Sequence, residues 1–177
     1  MACLQKLTGD VHWGCPTGAL RGTLGKYSEA VVINASDIES FSGGGEYATL
    51  VLVSGQRGYI IDSVNSSFKV SVARKGGDLY PVMYDPSVVM KVSNALFSKG
   101  NGVAHDLVNS VFVIALKGTN GYTIIGLGAP LVCTEIEGDS TTGELLTVTF
   151  GTGEGQTGST IFGISKATYE ALKVPAV

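Results

Sequence analysis

Charged residues are scarce in this 177-residue chain, where Asp, Glu, Lys and Arg make up 15% of the sequence. An ordinary globular domain has about 25% charged residues, so the deficit predicts that partner molecules cover part of the surface. The net charge of −3 argues against nucleic-acid binding through neutralised phosphates. A mildly acidic wall would instead let nucleic acid slide past without specific contact.

Export and membrane signals are also missing. The opening MACLQKLTGDVHWGC has neither the cationic region nor the unbroken apolar stretch of a signal peptide. No apolar run reaches the roughly 18 residues of a membrane span, so we expect no membrane anchor. The three cysteines, Cys3, Cys15 and Cys133, form no CxxC pair. An odd cysteine count without an export signal predicts reduced thiols in a protein made in a cytosol.

No motif is typical of an enzyme. The chain lacks the GxSxG elbow of a serine hydrolase, and His105 in AHDL fits a helix start better than a catalytic base. The glycine-rich residues 151–159, GTGEGQTGS, lack the GK[ST] of a phosphate loop, and Glu154 would repel an anion. We therefore predict no enzyme activity, no catalytic residues and no cofactor.

Possible zinc ligands lie near the N-terminus, where Cys3, His12 and Cys15 are close in sequence. A structural zinc site needs four ligands, and only Cys133 or His105 could supply the fourth. The sequence favours packed thiols and a hydrogen-bonded or exposed histidine, so we predict no metal site. Whether Cys3, His12 and Cys15 bind a metal stays open at this point.

Two acidic residues, Glu135 and Glu137, are separated by one residue, so in a strand they share one face. A glycosidase would need such carboxyls in a cleft rich in aromatic side chains. The only tryptophan, Trp13, lies instead in the N-terminal arm. The pair therefore predicts an acidic face that is either solvated or lumenal.

Most of the chain has the pattern of short β-strands separated by turns. Candidate strands and hairpins cover residues 29–38, 47–55, 58–64, 67–85, 111–128 and 143–151. The pairs Gly76-Gly77 and Asn120-Gly121 predict hairpin turns because these residues tolerate positive φ. Gln56-Arg57 predicts a tight connection between its flanking strands, and residues 41–47, FSGGGEY, predict a flexible break.

Helix is scarce. In residues 86–102, Pro86 and the closing glycines suit a helix, whereas Val88, Val89 and Val92 favour a strand, and the two readings are evenly matched. Residues 103–110 predict short turns. Residues 165–173 begin with a Ser cap and predict a short C-terminal helix.

The predicted fold is mainly β, a β-sandwich or small barrel with one or two short helices. We divide the chain into an N-terminal arm, residues 1–28, and a β-sandwich domain, residues 29–164. A short C-terminal helix and tail, residues 165–177, complete it.

Two long segments resemble one family. MACLQKLTGDVHWGC followed by GALRGTLGKYSEAVVINASDI resembles the start of tail tube (major tail) proteins of siphovirus-like phages that infect Bacteroidetes. LVNSVFVIALKGTNGYTIIGLGAPLVCTEIEG and DSTTGELLTVTFGTGEGQTGSTIF are similar to its later part, with Asn120, Gly121, Tyr122 and Gly126 at the turn and the strand that follows. Residues 40–105 depart from the family, because they contain no convincing amphipathic helix where tail tube domains usually place one.

The resemblance implies a structural virion protein. In that family a β-sandwich joins its sheet to those of its neighbours, giving a hexameric ring whose continuous barrel surrounds a lumen, and rings stack through arms and loops. Pairing between copies also removes sheet edges that would otherwise aggregate. The implied partners are further copies of the chain, other tail or connector proteins, and DNA that passes without specific binding. The implied location is the phage tail, assembled in the cytoplasm of the bacterial host.

Alternatives remain open because of the departure in residues 40–105. The chain would also suit another virion protein, namely a head–tail connector, a tail terminator or a capsid decoration protein. A carbohydrate-binding or adhesin-like β-sandwich module is a function of a different class. That function predicts exposed aromatic side chains gathered on one face.

Overall fold

The structure is a computed structural model that describes residues 27–43, 47–61, 68–75, 83–93, 106–119, 121–138, 145–153 and 160–176. Its strands are β1 (Tyr27–Asn34), β2 (Ile38–Ser42), β3 (Thr49–Leu52), β4 (Tyr59–Ile61), β5 (Lys69–Lys75), β6 (Met83–Ser93), β7 (Val111–Gly118), β8 (Gly121–Leu127), β9 (Leu131–Gly138), β10 (Leu145–Thr152) and β11 (Thr160–Ile164). A 3-10 turn, Ala35–Asp37, follows β1, a helical turn covers residues 106–108, and helix α1 (Lys166–Ala171) follows β11. The predicted mainly-β class is confirmed.

Nine of the strands form one sheet, which folds over at one corner into two layers, the central sheet and the outer sheet, while β2 and β3 form a separate two-stranded sheet. The central sheet has the antiparallel order β4-β1-β7-β8-β11, and the outer sheet has the antiparallel order β9-β10-β6-β5. They meet where the first residues of β7 pair with β9, through Val111 opposite Val132 and Phe112 opposite Leu131. The two sheets then pack face to face as a sandwich.

The first core lies between the two sheets. Alternate residues of β1 and β7 meet alternate residues of β6 and β10, and the rings of Phe112 and Phe150 contact edge to face at 5.7 Å. The buried members from these four strands are Ala30, Val32, Val88, Met90, Val92, Phe112, Ile114, Leu116, Leu146, Val148 and Phe150. Strand β10, LLTVTFGT, alternates because only one of its faces is buried in this core.

The second core lies on the opposite face of the central sheet. The C-terminal helix, through Tyr169 and Leu172, and the β2–β3 hairpin, through Leu52, cover the remaining residues of β1, β7 and β8. Strands β1 and β7 are therefore buried on both faces. This explains why the sequence reads AVVI and VFVIAL there, as continuous apolar runs rather than as an alternation.

A polar cluster ties α1 to the start of β1. The Tyr169 hydroxyl donates a hydrogen bond to Glu29 Oε1 at 3.0 Å, and Lys173 Nζ lies 2.5 Å from the same oxygen and 3.1 Å from Glu170 Oε2. Burial alone would raise the pKa of Glu29. The Lys173 hydrogen bond and charge, the Tyr169 hydroxyl and the charge of Lys117 outweigh burial, so the pKa of Glu29 lies below its ordinary value.

The segment between β3 and β4 is held by the C-terminal tail. Gly58 N donates to Leu172 O at 2.7 Å, and the backbones of Gly55, Gln56 and Ala176 exchange two hydrogen bonds. A side chain at Gly58 would overlap Val31 of β1, so the close approach of this segment to β1 requires glycine there.

Two expectations about local structure are corrected and one open question is answered. The strands on either side of Gln56-Arg57 do not form a hairpin: β3 pairs with β2, and β4 pairs with β1. Part of the predicted break at residues 41–47 is strand, because Phe41 and Ser42 belong to β2. The open question of helix or strand after Pro86 is answered for residues 86–93, which belong to strand β6.

The hairpin prediction for residues 111–128 is confirmed in its pairing but not in its register. Gly118 lies opposite Gly121, so the turn begins one residue earlier than the Asn120-Gly121 centre that the sequence predicts. The predicted Ser cap is confirmed, since Ser165 Oγ accepts a hydrogen bond from Thr168 N at 3.1 Å. The turn at Gly76-Gly77 and residues 1–26 of the predicted arm (residues 1–28) lie outside the described residues, and the last two residues of that arm, Tyr27 and Ser28, belong to strand β1. Among the helices in the described part of the chain, none has the length and apolar character to cross a membrane.

The folded protein should lose stability in acid partly through Glu29. Because the pKa of Glu29 is lowered from 4.5 in the folded state, its contribution is present above the unfolded pKa and is lost as the pH falls through the folded value. We expect Glu29→Gln to cost about 1–3 kcal/mol at pH 7 and clearly less at pH 3, measured by thermal unfolding. Glu39→Gln, at an exposed position, is the control. Equal losses at both pH values would contradict this role for Glu29.

Candidate self-assembly surface

The outer sheet has one polar face that points away from the core. Alternate residues of each strand form rows across it: Glu137, Thr147 and Lys91 in one row, and Glu135, Thr149, Val89 and Lys69 in the next. Ser87 and Ser71 lie opposite each other further along. This face therefore consists mainly of short hydroxyl side chains and a few charges of both signs, with Val89 as an apolar member.

Both edges of the outer sheet are open within the described residues. Strand β5 pairs with β6 on one side, and among the described strands none pairs with its other side. Strand β9 pairs with β7 only through Val132 and Leu131. On the same side of β9, residues 134–138 therefore have no strand partner among the described residues.

The edge strands of the central sheet are short or covered. Its edge strand β4 is only three residues long, and β11 is met by Ala48, whose N–H donates to Gly163 O at 2.8 Å. Short or covered edge strands are the usual protection against unwanted pairing. In the outer sheet, by contrast, edge strand β5 has seven residues, and the part of β9 without a described partner on its outer side covers residues 134–138.

The open edges also leave apolar side chains incompletely covered. Phe68 and Val70 pack against the first core, and Val72, two residues further along β5, is 45% exposed. At the opposite edge, Ile136 packs against the same core and is only half-buried. A strand added at either edge would extend the sheet and remove this apolar surface from water.

The two edges carry opposite charges. Strand β5, KVSVARK, contains three basic residues and no acidic one, whereas β9, LVCTEIEG, contains two acidic residues and no basic one. The side chains of Lys69, Glu135 and Glu137 are exposed. No ion pair joins these three to any other residue that the structure describes.

A bulge interrupts β9 at Thr134. The pairing with β10 shifts between Thr149 and Phe150, so Thr149 lies opposite Glu135 while Phe150 lies opposite Cys133. Thr134 Oγ1 donates to Thr149 O at 3.2 Å and stabilises the bulge. Bulges increase the local twist and bend the strand, so the sheet curves at its β9 edge.

The residues singled out from the sequence have different outcomes. The prediction that Glu135 and Glu137 share one face is confirmed, because Ile136 between them points to the core. Burial raises the pKa of the Cys133 thiol to about 11. Cys3, His12, Cys15, His105 and Glu154 lie outside the described residues. Within the described ranges no group of three His, Cys, Asp or Glu side chains is placed to hold a metal ion.

A groove of about 610 Å³ lies at the opposite end of the central sheet, beside the β7–β8 turn. Tyr27, Tyr47 and Tyr122 line it together with Ser165 and Lys166. Tyr47 is 51% exposed, and the Tyr122 ring packs on Tyr169 at 4.8 Å between centroids. Sequence inspection did not find this groove, because its three tyrosines come from distant parts of the chain.

Comparisons with known proteins were made at the levels of family, curated sequence and solved structure. None of the three gave a match. Functional inference for this chain therefore depends on its own geometry.

Hydrogen exchange on dilute monomer should reveal the two open edges. We expect the β5 amides that point away from β6 to exchange rapidly, since unpaired edge amides are solvated. The amides of β10, which is paired on both sides, serve as the internal control and should be strongly protected. Equal protection of β5 and β10 in a monomer would show that the β5 edge is covered.

Proposed function

We propose that the protein is a structural virion protein, a phage tail tube subunit that forms stacked, hexameric rings around a DNA-conducting lumen. The observation that carries this proposal is the outer sheet: four antiparallel strands, a polar face, and two edges that no other described strand pairs with along their length. The resemblance of the N-terminal and later segments to tail tube proteins adds to it. In this proposal the chain has no enzymatic role.

Ring closure follows from the open edges. A surface patch that binds a different patch on the next copy makes a head-to-tail contact, and repetition closes a ring when the rotation permits. The outer sheets of the copies would then form one closed barrel without edges. Closure would therefore supply strand partners for the edges of β5 and β9 that no other described strand pairs with.

The expected dimensions suit a duplex passing through. Six copies would contribute about 24 strands, which at about 4.8 Å spacing and a tilt of about 40° give a barrel about 48 Å across between backbones. Side chains on the inner wall would leave a lumen of about 40 Å. The polar face of the outer sheet is the wall we assign to that lumen. Its hydroxyl groups and mixed charges offer passing DNA no continuous basic surface.

Other virion roles share this reasoning. A connector, a tail terminator or a capsid decoration protein would also be completed by neighbours, but a tube subunit must in addition stack its rings. In the proposed setting the further partners are other tail or connector proteins, and the location is the phage tail, assembled in the host cytoplasm.

Electron microscopy of the purified chain tests the proposal directly. At high concentration we expect rings or tubes with a lumen of about 40 Å, and native mass measurement should give a multiple of the 18.3 kDa chain. A ring that never stacks would favour a connector or terminator. A strictly monomeric protein at every concentration would contradict a virion tube.

A carbohydrate-binding module is a second candidate, supported by the tyrosine groove. Aromatic rings beside hydroxyl groups are suited to the apolar faces and hydroxyls of sugars, and Tyr27, Tyr47 and Tyr122 line one groove. This candidate predicts binding by a monomer, without assembly.

A glycan array separates the two candidates. If the groove binds sugar, Tyr47→Ala should weaken the signal at least about tenfold, which corresponds to about 1.4 kcal/mol. Phe41→Ala, an exposed aromatic outside this groove, is the matched control and should bind normally. No glycan bound by the unmodified monomer would rule out this second function.

A further inference from the structure

The edges of the outer sheet carry information about which copy-to-copy contact forms. We infer that β5 of one copy pairs antiparallel with β9 of the next copy, with Lys69 opposite Glu135 or Glu137. This inference rests on the proposed function, in that it names the contact through which the ring closes. Three features support this contact: the direction of the strands, the side of the sheet on which each side chain lies, and the charge of each edge.

Strand direction permits this contact. The outer sheet contains four strands in alternating directions, so its two edge strands, β9 and β5, run in opposite directions. When identically oriented copies stand side by side, β5 of one is antiparallel to β9 of the next. An even number of strands therefore continues the antiparallel pattern across every boundary between copies.

The facing of the side chains restricts the register. Lys69, Glu135 and Glu137 lie on the polar face, whereas Val70, Val72 and Ile136 lie on the core side. A shift by one residue would turn apolar side chains into the polar face, so only shifts by two are allowed. Within one copy, Lys69 and Glu135 belong to the same row of side chains across the sheet. If that row continues into the next copy, Lys69 lies opposite Glu135, and a shift by two residues brings it opposite Glu137.

Charge distinguishes this contact from symmetric pairing. Two β5 edges could also pair antiparallel around a two-fold axis, which would give a closed dimer. That arrangement sets a basic strand against a basic strand, and a β9–β9 contact sets acid against acid. Opposite charges attract across neighbouring strands, and like charges directly opposite are unfavourable. Of these contacts, only the one between unlike edges sets basic residues against acidic residues. Repetition of that contact leads to a ring.

Carbodiimide coupling tests which residues face each other. Mixed assemblies of ¹⁴N- and ¹⁵N-labelled chain are treated with the reagent, which adds to a carboxyl group to give an O-acylisourea, and a lysine amine then attacks the acyl carbon. An amide forms with net loss of water, and the carbodiimide leaves as the urea. We expect mass spectrometry to find Lys69 joined to Glu135 or Glu137 in peptides that combine both isotopes. Assemblies without these mixed-isotope links would overturn the inference.

Charge reversal provides an independent readout. We expect Lys69→Glu to raise the concentration at which rings form about tenfold or more, measured by sedimentation velocity. Combining it with Glu135→Lys and Glu137→Lys should restore assembly to within a few-fold of the unmodified chain. Glu39→Lys, a charge change of equal size at an exposed residue of β2, should leave assembly unchanged. Circular dichroism confirms that each variant is folded.

The outcomes separate the two proposals. Rings that form normally with Lys69→Glu and give no Lys69 links would overturn the β5–β9 contact while leaving the tube function intact. Closed dimers as the final species would overturn the inference in favour of symmetric pairing. Failure of the unmodified chain to assemble under any condition would count against both.

Discussion

Strand β7 is the element on which the rest of the structure depends. It pairs along one side with β1 and along the other with β8 and then β9. Its residues are buried alternately in the two cores, Phe112 in one and Val113 in the other. Because both sheets pair with it and α1 packs over it, a change in β7 would disturb all three layers. Because both faces of β7 are buried, a polar side chain in its apolar run would lie in a core without water, which is unfavourable unless it finds a hydrogen-bond partner.

The central sheet and the outer sheet differ in how far their faces and edges are covered. The central sheet is covered on both faces, has short or covered edges, and is fastened to the C-terminus by Tyr169 and Lys173. The outer sheet shares one core but keeps a polar face and two long edges. In the proposed assembly, each copy would already have both of its cores in place, and only the polar face and edges of the outer sheet would be used for contacts.

Local patterns predicted the strands well and their partners poorly. The alternation in LLTVTFGT and the β-branched residues of β6 are local properties, and a strand at 86–93 could be favoured from Val88, Val89 and Val92 alone. The partners of β3 and β4 depend on contacts far apart in sequence. Gly58 is held by Leu172, and Tyr169 contacts Glu29 across 140 residues. Such pairs leave no periodic signal, so the tight connection at Gln56-Arg57 was wrongly taken to join adjacent strands.

The candidate surface was visible in the sequence only as fragments. The facing of Glu135 and Glu137 followed from the two-residue period of a strand, and the low charge content suggested contact with other copies. That β5 and β9 are the two edges of one sheet is a property of topology, which composition does not encode. The tyrosine groove was hidden for the same reason.

The even strand count of the outer sheet has a consequence for growth. Copies joined through unlike edges all point the same way, so any ring built from them has a top that differs from its bottom. Rings that stack top to bottom give a filament with a direction, and its two tips offer different surfaces to incoming subunits. In the proposed tube, the two tips would therefore be recognised by different partners, without any change in the subunit itself.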